Sequence, residues 1–257
     1  MVELGHETTL PVTLDDIIHH CQAVCRGCRR PLLVADLPFG SFEASPEQAV
    51  RSATRIMKET NMDSVKVEGG RKRVESVRAI VDAGIAVMGH IGLTPQSFSR
   101  SATKAYDLIK DAEALQDAGV FAMVLECVPA IVAQQVAKAV DVPVIGIGAG
   151  PHTDGQVLVF HDMLGMMQHH HHAQFTPQFC KQYATVGYAI QEGLAEYKSD
   201  VEQRKFPDES YSPYKIPEAE AAKFLELVQQ HQERKAQQAT SDQPTAAVDD
   251  GPDIKVY

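Results

Sequence analysis

The chain has 257 residues, 44% of them hydrophobic and 23% charged, enough to bury one large core in a single domain. A net charge of −10 argues against nucleic acid or an anionic membrane as partner, because both need a basic surface. No apolar run reaches the roughly 18 residues of a spanning helix, and Met1-Val2-Glu3-Leu4-Gly5 reads as neither a signal peptide nor an Arg-rich presequence, so the expectation is a soluble intracellular protein.

In chain order, Leu14 to Cys25 reads as an amphipathic helix opened by Asp15 and Asp16. It carries Cys21 and Cys25, with Cys28 just beyond. This C-x3-C-x2-C spacing is one by which radical enzymes hold an iron–sulfur cluster on three thiolates. Against it, Cys21 and Cys25 would lie one turn apart on a helix face, which favours plain thiols. Leu32-Leu33-Val34-Ala35 is a strand that ends on Asp36, and Ser45-Pro46-Glu47 opens the next helix with an N-cap, a first-turn proline and an acid.

Val65-Lys66-Val67-Glu68, Val87-Met88-Gly89-His90 and Met123-Val124-Leu125-Glu126 are further short apolar strands ending on groups that can do chemistry. Helices from about Arg73 to Ala83, Thr103 to Ala118 and Ala130 to Val140 separate them, the first two capped by Gly84 and Gly119. A fifth strand, Val144 to Ile147, runs into Gly148-Ala149-Gly150. Strand and helix in this rhythm predict an α/β fold, a parallel sheet of (β/α) barrel type in which the carboxyl ends of the strands converge on one pocket.

Beyond Gly150 the pattern predicts a short strand over Gly155 to Phe160, a long helix over Thr176 to Gln203, and an amphipathic helix over Pro217 to Lys235 with Leu225 and Leu227. Residues 237–257 are rich in Gln, Thr, Ser, Asp and Pro and read as a disordered tail. The domain reading is a barrel domain over 1–216, a C-terminal helix over 217–236 and the tail. Five cysteines imply no disulfide framework, and Cys127 and Cys180 read as small core residues. His169 to His172 is internal, unlike a tag, and His161-Asp162 reads as a structural turn.

Asp36 and Glu68, at the ends of neighbouring strands, offer oxygens that suit a hard cation such as Mg²⁺; the plainer alternatives are a turn cap and a local ion pair. Lys66 lies two residues before Glu68, on the same side of the strand, and an inward lysine calls for an anion such as a substrate carboxylate. His90 taken alone is more often a hydrogen-bonded core histidine than a catalyst. Glu126 follows a wholly apolar strand, where desolvation should disfavour its charged form and make it a better proton acceptor. The glycine run is a weak dinucleotide signal, and close packing of backbone against a ligand is its more economical role.

Taken together, Thr9-Leu10-Pro11-Val12, Leu33-Val34-Ala35-Asp36-Leu37-Pro38-Phe39, Val65-Lys66-Val67-Glu68-Gly69-Gly70, Gly89-His90-Ile91-Gly92-Leu93-Thr94-Pro95-Gln96-Ser97, Leu125-Glu126-Cys127-Val128-Pro129, and Ile145 to Gly150 with Asp154-Gly155-Gln156-Val157-Leu158-Val159 resemble the ketopantoate hydroxymethyltransferase family. The likeness runs from about Gly5 to Lys215. It implies a (β/α)8 TIM barrel of the phosphoenolpyruvate/pyruvate type and transfer of a hydroxymethyl group from 5,10-methylenetetrahydrofolate to 3-methyl-2-oxobutanoate, giving 2-dehydropantoate. By the same resemblance Asp36 and Glu68 correspond to Mg²⁺ ligands, with Asp36 also facing substrate. Lys66 corresponds to the lysine that holds the oxo acid, Glu126 to the acceptor of the C3 proton, and His90 to a substrate-pocket histidine.

The resemblance also implies a homo-oligomer, since family members form decamers. A eukaryotic member with a leader would be mitochondrial, any other cytoplasmic. Two departures accompany it. The family's first two strands and a Gly-Asp-Ser turn precede the segment matching Gly5, so the expectation is a barrel lacking two strands. A glycine-rich loop is replaced by Phe98-Ser99-Arg100-Ser101-Ala102 running straight into a helix. Three readings stay open: a shortened hydroxymethyltransferase, a non-catalytic paralogue serving as a structural subunit, and a radical iron–sulfur enzyme using Cys21, Cys25 and Cys28.

Overall fold

Short β-branched runs alternating with amphipathic helices build a six-stranded parallel sheet whose strands follow chain order. The computed structural model describes residues 3–92, 102–167 and 177–241. The strands are β1 (Val34–Asp36), β2 (Ser64–Glu68), β3 (Val87–Gly92), β4 (Ala122–Glu126), β5 (Val144–Ile147) and β6 (Gly155–Gln156). Helix α1 (Leu14–Gly27) precedes β1, and α2 (Pro46–Glu59), α3 (Val74–Asp82), α4 (Ala102–Asp117) and α5 (Ala130–Ala139) connect β1 to β5. Parallel neighbours require such crossovers, because a tight turn cannot reverse the chain twice. Among the described residues β1 and β6 each pair on one side only, so the sheet is open between them and the eight strands of a closed barrel are not reached.

Local chemistry sets the helix ends. Thr13 caps α1 reciprocally with Asp16, the hydroxyl accepting from the Asp16 N–H at 3.2 Å while the Asp16 carboxylate accepts the Thr13 N–H at 2.9 Å. Ser45 accepts from the Gln48 N–H, with Pro46 at the first helical position, as the sequence predicts. After α3 and α4 the chain reverses through Gly84 and Gly119 at φ 83° and 95°, values costly for any residue with a Cβ.

The two faces of the sheet do different work because side chains alternate along each strand. Ala35, Val65, Val67, Val87, Met123, Leu125 and Val144 point one way, into a core with Ala53 and Ile56 of α2, Val77 and Ile80 of α3, Leu115 of α4 and Val136 of α5. Full burial of each large aliphatic side chain there is worth about 1.5–3 kcal/mol. The residues one position along line the other face, which carries the polar groups described below.

The chain divides into two compact units, residues 1–189 and 190–257, rather than at 216, and the boundary falls inside a helix, α7 (Val186–Glu202). In the first unit, the predicted strand over 155–160 stops at Gln156, and Phe160–Met163 forms a short helix, α6. The long helix predicted from residue 176 begins only at Val186. The Tyr183 N–H before it, and the Val186 and Gly187 N–H groups of its first turn, go to the carbonyls of Met163, Leu164 and Gly165. In the second unit, α8 (Glu218–Ser241) extends the predicted amphipathic helix. Residues 237–241 are therefore helical and not part of a disordered tail, with Gln237, Gln238 and Ala239 being good helix formers that continue the run from Glu218. Residues 242–257 lie outside the described residues, as do His169 to His172 and the loop at Phe98 to Ser101. Leu225 and Leu227 are exposed.

The cysteines do not form a cluster site. Cys21 and Cys25 sit one turn apart on α1, Cys28 is its C-cap, and no group of three His, Cys, Asp or Glu suited to a metal occurs among the described residues. Burial pushes the Cys21 thiol up to about 11, which disfavours the thiolate that a cluster needs. Cys127 and Cys180 are half-buried rather than core residues.

Candidate active site

Five parallel strands bring one polar wall together. Val34 and Asp36 of β1, Lys66 of β2, Met88 and His90 of β3, Val124 and Glu126 of β4, and Ile145 and Ile147 of β5 line a cavity of about 350 Å³, with Val157 closing one side. In β1, β3 and β4 the spacing of two is the pleat: the residue nearer the strand's start supplies an apolar wall and the one at its carboxyl end a functional group, while β5 gives two apolar residues and β2 gives Lys66 alone. Register places Asp36 beside Lys66.

Four of these side chains form a continuous hydrogen-bonded chain. The Lys66 ammonium lies 3.0 Å from Asp36 Oδ2 and 3.1 Å from His90 Nδ1, and His90 Nε2 lies 3.0 Å from Glu126 Oε2. An ammonium has no lone pair, so Nδ1 of His90 must accept and the ring's hydrogen sits on Nε2, donating to Glu126. Lys66 is only 17% exposed, and its anion is Asp36. An unpaired cation among these aliphatic walls would be costly, which explains why the pair forms.

Glu126 departs from the expectation drawn from its apolar strand. Its carboxyl is held below the usual carboxylate range, chiefly by the hydrogen bond from His90. Desolvation pulls the other way, and the Lys66 charge and the Cys127 thiol add to the lowering. The apolar strand was a poor guide because Glu126 is the last residue of β4 and its side chain is 43% exposed. Glu126 is thus ionised and ready to accept a proton, but as a weaker base than burial alone would make it. Cys127 was overlooked in this role: its Sγ lies 3.8 Å from Glu126 Oε1, and it holds a left-handed φ of 55° that turns the chain out of β4. No sequence pattern signals that conformation in a cysteine.

A sequence model of the ketopantoate hydroxymethyltransferase family matches residues 1–209. The Arabidopsis thaliana protein named 3-methyl-2-oxobutanoate hydroxymethyltransferase 1, mitochondrial, is 54% identical over 239 residues, covering 89% of this chain and 69% of its own length. The rice (Oryza sativa subsp. japonica) protein named 3-methyl-2-oxobutanoate hydroxymethyltransferase 2, mitochondrial, is 48% identical, covering 100% of this chain and 68% of its own. The Heliobacterium modesticaldum 3-methyl-2-oxobutanoate hydroxymethyltransferase is 48% identical over 82% of this chain and 78% of its own length. The chain belongs to the ketopantoate hydroxymethyltransferase family. It spans about two thirds of the length of the plant relatives.

Of the five residues matched to ketopantoate hydroxymethyltransferase site positions, Asp36, Lys66, His90 and Glu126 share the cavity. Glu68 does not: it lines a neighbouring depression with Leu37, Gly69 and Arg71, and its carboxylate has no hydrogen-bond partner among the described residues. Its backbone is in register with that of His90 on β3, at the edge of the cavity. β2 ends at Glu68, and Gly69 at φ 120° turns the chain away at once.

The glycine run also differs from its expected role, since its close approaches are to protein rather than ligand. A Cβ at Gly146 would meet the Thr153 hydroxyl at 2.6 Å, one at Gly148 the Phe179 ring at 2.6 Å, and one at Gly150 the Ala130 side chain. His161 contacts Glu3, Nε2 to Oε1 at 2.9 Å.

Proposed function

We propose that this chain transfers a hydroxymethyl group from 5,10-methylenetetrahydrofolate to 3-methyl-2-oxobutanoate, giving 2-dehydropantoate, on a (β/α) barrel of the phosphoenolpyruvate/pyruvate type. The observation that carries the reading is the chain Asp36, Lys66, His90 and Glu126 within one apolar-walled cavity. A structural subunit has no use for a lysine and two carboxylates drawn inside aliphatic walls, so the non-catalytic alternative is less well supported. The mitochondrial location in the plant relatives' names belongs to the same reading.

The charge count favours a divalent cation. Asp36 and Glu126 against Lys66 leave the cavity one negative charge, and a 2-oxo acid would add another. Asp36 and Glu68, the latter without a hydrogen-bond partner among the described residues, are exposed oxygen donors at the ends of adjacent strands, which fits Mg²⁺, an ion that takes one or two carboxylates and otherwise waters and substrate. When bound, the ion supplies Lewis-acid withdrawal of electron density from the oxo acid.

The remaining steps belong to the chain's own side chains. Lys66 faces the substrate carboxylate, for which Asp36 is the stand-in partner. Glu126, oriented by His90 Nε2–H on one oxygen, takes the C3 proton on its carboxylate. C3 then bonds to the methylene carbon, whose two bonds to folate nitrogens are replaced by the new C–C bond and by a C–O bond from water.

Incubation with 3-methyl-2-oxobutanoate, 5,10-methylenetetrahydrofolate and Mg²⁺ should yield 2-dehydropantoate by mass spectrometry, and omission of either substrate should abolish it. No product, together with no exchange of the oxo acid's C3 proton in D₂O, would overturn the assignment.

A further inference from the structure

We infer that Cys127 is a positioning residue for Glu126: its left-handed backbone turns the thiol back beside the carboxylate, where S–H donates to Oε1 while His90 Nε2–H donates to Oε2. The inference rests on the hydroxymethyl-transfer reading and deepens it, because Glu126 is the base of that reading.

Backbone comes first. Side chains alternate along β4, with Met123 and Leu125 in the core and Val124 and Glu126 on the cavity. Continued, that alternation would bury Cys127 and turn Val128 to the cavity. The structure does the reverse: Val128 is 4% exposed and joins the core, whereas Cys127 is half-buried beside Glu126. The φ of 55° at Cys127 makes the change, and its N–H still donates to the Ile147 carbonyl at 2.9 Å, so the pairing with β5 continues one residue past the end of β4. Among the described residues only Cys127 and Arg204 take a positive φ without being glycine. Arg204 follows α7, where a left-handed residue commonly closes a helix; Cys127 has no helix before it. A turn alone is made at less cost by glycine, and what a cysteine adds there is its thiol.

Chemistry comes second. Burial, with the Glu126 charge beside it, pushes the Cys127 thiol up, so the sulfur keeps its hydrogen. Its Sγ lies 3.8 Å from Glu126 Oε1, and His90 Nε2 lies 3.0 Å from Oε2. A carboxylate held at one oxygen can turn about its last bond. Held at both, its plane is fixed, and each oxygen keeps a lone pair for the C3 proton. Cys127 is not among the residues lining the cavity, so it touches the base and not the substrate. The groups that lower the Glu126 carboxyl are His90, Lys66 and Cys127, and the thiol is the weakest of them. Its loss therefore changes where the carboxylate oxygens sit more than how basic they are.

Exchange of the C3 proton of 3-methyl-2-oxobutanoate in D₂O with Mg²⁺, followed by NMR on the full chain, tests this without folate. Cys127→Ala and Cys127→Gly should each lower the saturated exchange rate about tenfold. The half-saturating oxo acid concentration should stay within about twofold of the unaltered chain's, and the acid limb should move by less than about half a pH unit. Cys127→Ser restores a donor and should recover the rate to within about threefold. Glycine takes the φ without strain, so that variant folds even where the alanine variant does not, and circular dichroism checks both. Cys28→Ala, at the C-cap of α1, should exchange as the unaltered chain does. Saturated rates of the alanine and glycine variants within about twofold of the unaltered chain's overturn the inference. A serine variant no faster than the alanine one also overturns it, since the side chain would then only fill space. If the unaltered chain exchanges the proton, these results judge Cys127 alone; if it does not, the underlying reading falls and this inference with it.

Discussion

Glu126→Gln should abolish proton abstraction while leaving the cavity's geometry in place. The amide oxygen can still accept from His90 Nε2–H, which sits 3.0 Å from Oε2, and the amide nitrogen would face the Cys127 sulfur. What is lost is the charge on the acceptor. Hydrogen bonds to charged groups are worth about 1.5–3 kcal/mol against about 1 for neutral pairs. With the side chain 43% exposed, solvent screening cuts that difference to about 1 kcal/mol or less, or about 2–4 °C in Tm for a chain this size. Loss of a general base costs about 10²- to 10⁴-fold in rate, or about 3–5 kcal/mol of barrier, so the kinetic effect should dominate. Loss of the C3 proton signal of 3-methyl-2-oxobutanoate in D₂O with Mg²⁺, followed by NMR, isolates this step from folate. An exchange rate within about threefold of the unaltered chain would refute Glu126 as the base. The pH dependence has a definite sign. Glu126 is held low in the folded state, so its ionised form, and the stability its hydrogen bonds contribute, are present above the ordinary carboxylate range and lost as pH falls through the lowered value.

Two further outcomes follow from the same contacts. His90→Ala removes the hydrogen bond that does most to lower the Glu126 carboxyl and leaves desolvation opposed only by Lys66 and Cys127, so the acid limb of C3-proton exchange against pH should move upward; an unmoved limb would mean that His90 does not set Glu126. Gly148→Ala forces a Cβ into a φ of 61° and against the Phe179 ring at 2.6 Å, and should destabilise by about 1–3 kcal/mol in urea unfolding; a midpoint unchanged from the unaltered chain would contradict the packing described.

The outward face of the sheet and the elements before Gly150 were legible because periodicity records burial. Val65, Val67, Met123 and Leu125 alternate with Lys66 and Val124, and the helices between them carry the spacing that Ala53, Ile56, Val77 and Ile80 use to meet the sheet. The meeting of Asp36, Lys66, His90 and Glu126 was legible from one rule, that parallel strands present their carboxyl ends together. What failed depended on contacts distant in sequence or on single backbone angles. The pairing of residues 163–165 with 183–187 shortened the predicted helix, the φ of Cys127 turned the chain out of β4, and the imidazole of His90 reversed the direction expected for Glu126. None of these leaves a local signature: each is set by a partner 20 or more residues away or by a single torsion.

The charges on Asp36, Lys66 and Glu126 also predict how substrate and cation should depend on each other. The Lys66 ammonium has three donors and gives one to Asp36 and one to His90, so an oxo acid that takes the third sits beside the Asp36 and Glu126 carboxylates. Asp36→Asn removes one of those charges and leaves Lys66 seeking an anion. Asp36 is 57% exposed, so the repulsion removed is of the size found near water at 4 Å, about 1 kcal/mol, or about fivefold in affinity. In EDTA, Asp36→Asn should therefore bind 3-methyl-2-oxobutanoate about fivefold more tightly than the unaltered chain in calorimetric titration. With Mg²⁺ the order should reverse, because the variant has given up one of its two candidate oxygen donors. If Asp36→Asn binds no better in EDTA, Asp36 is not competing for Lys66. If it also binds no worse in Mg²⁺, Asp36 holds neither the ion nor the lysine in the working site.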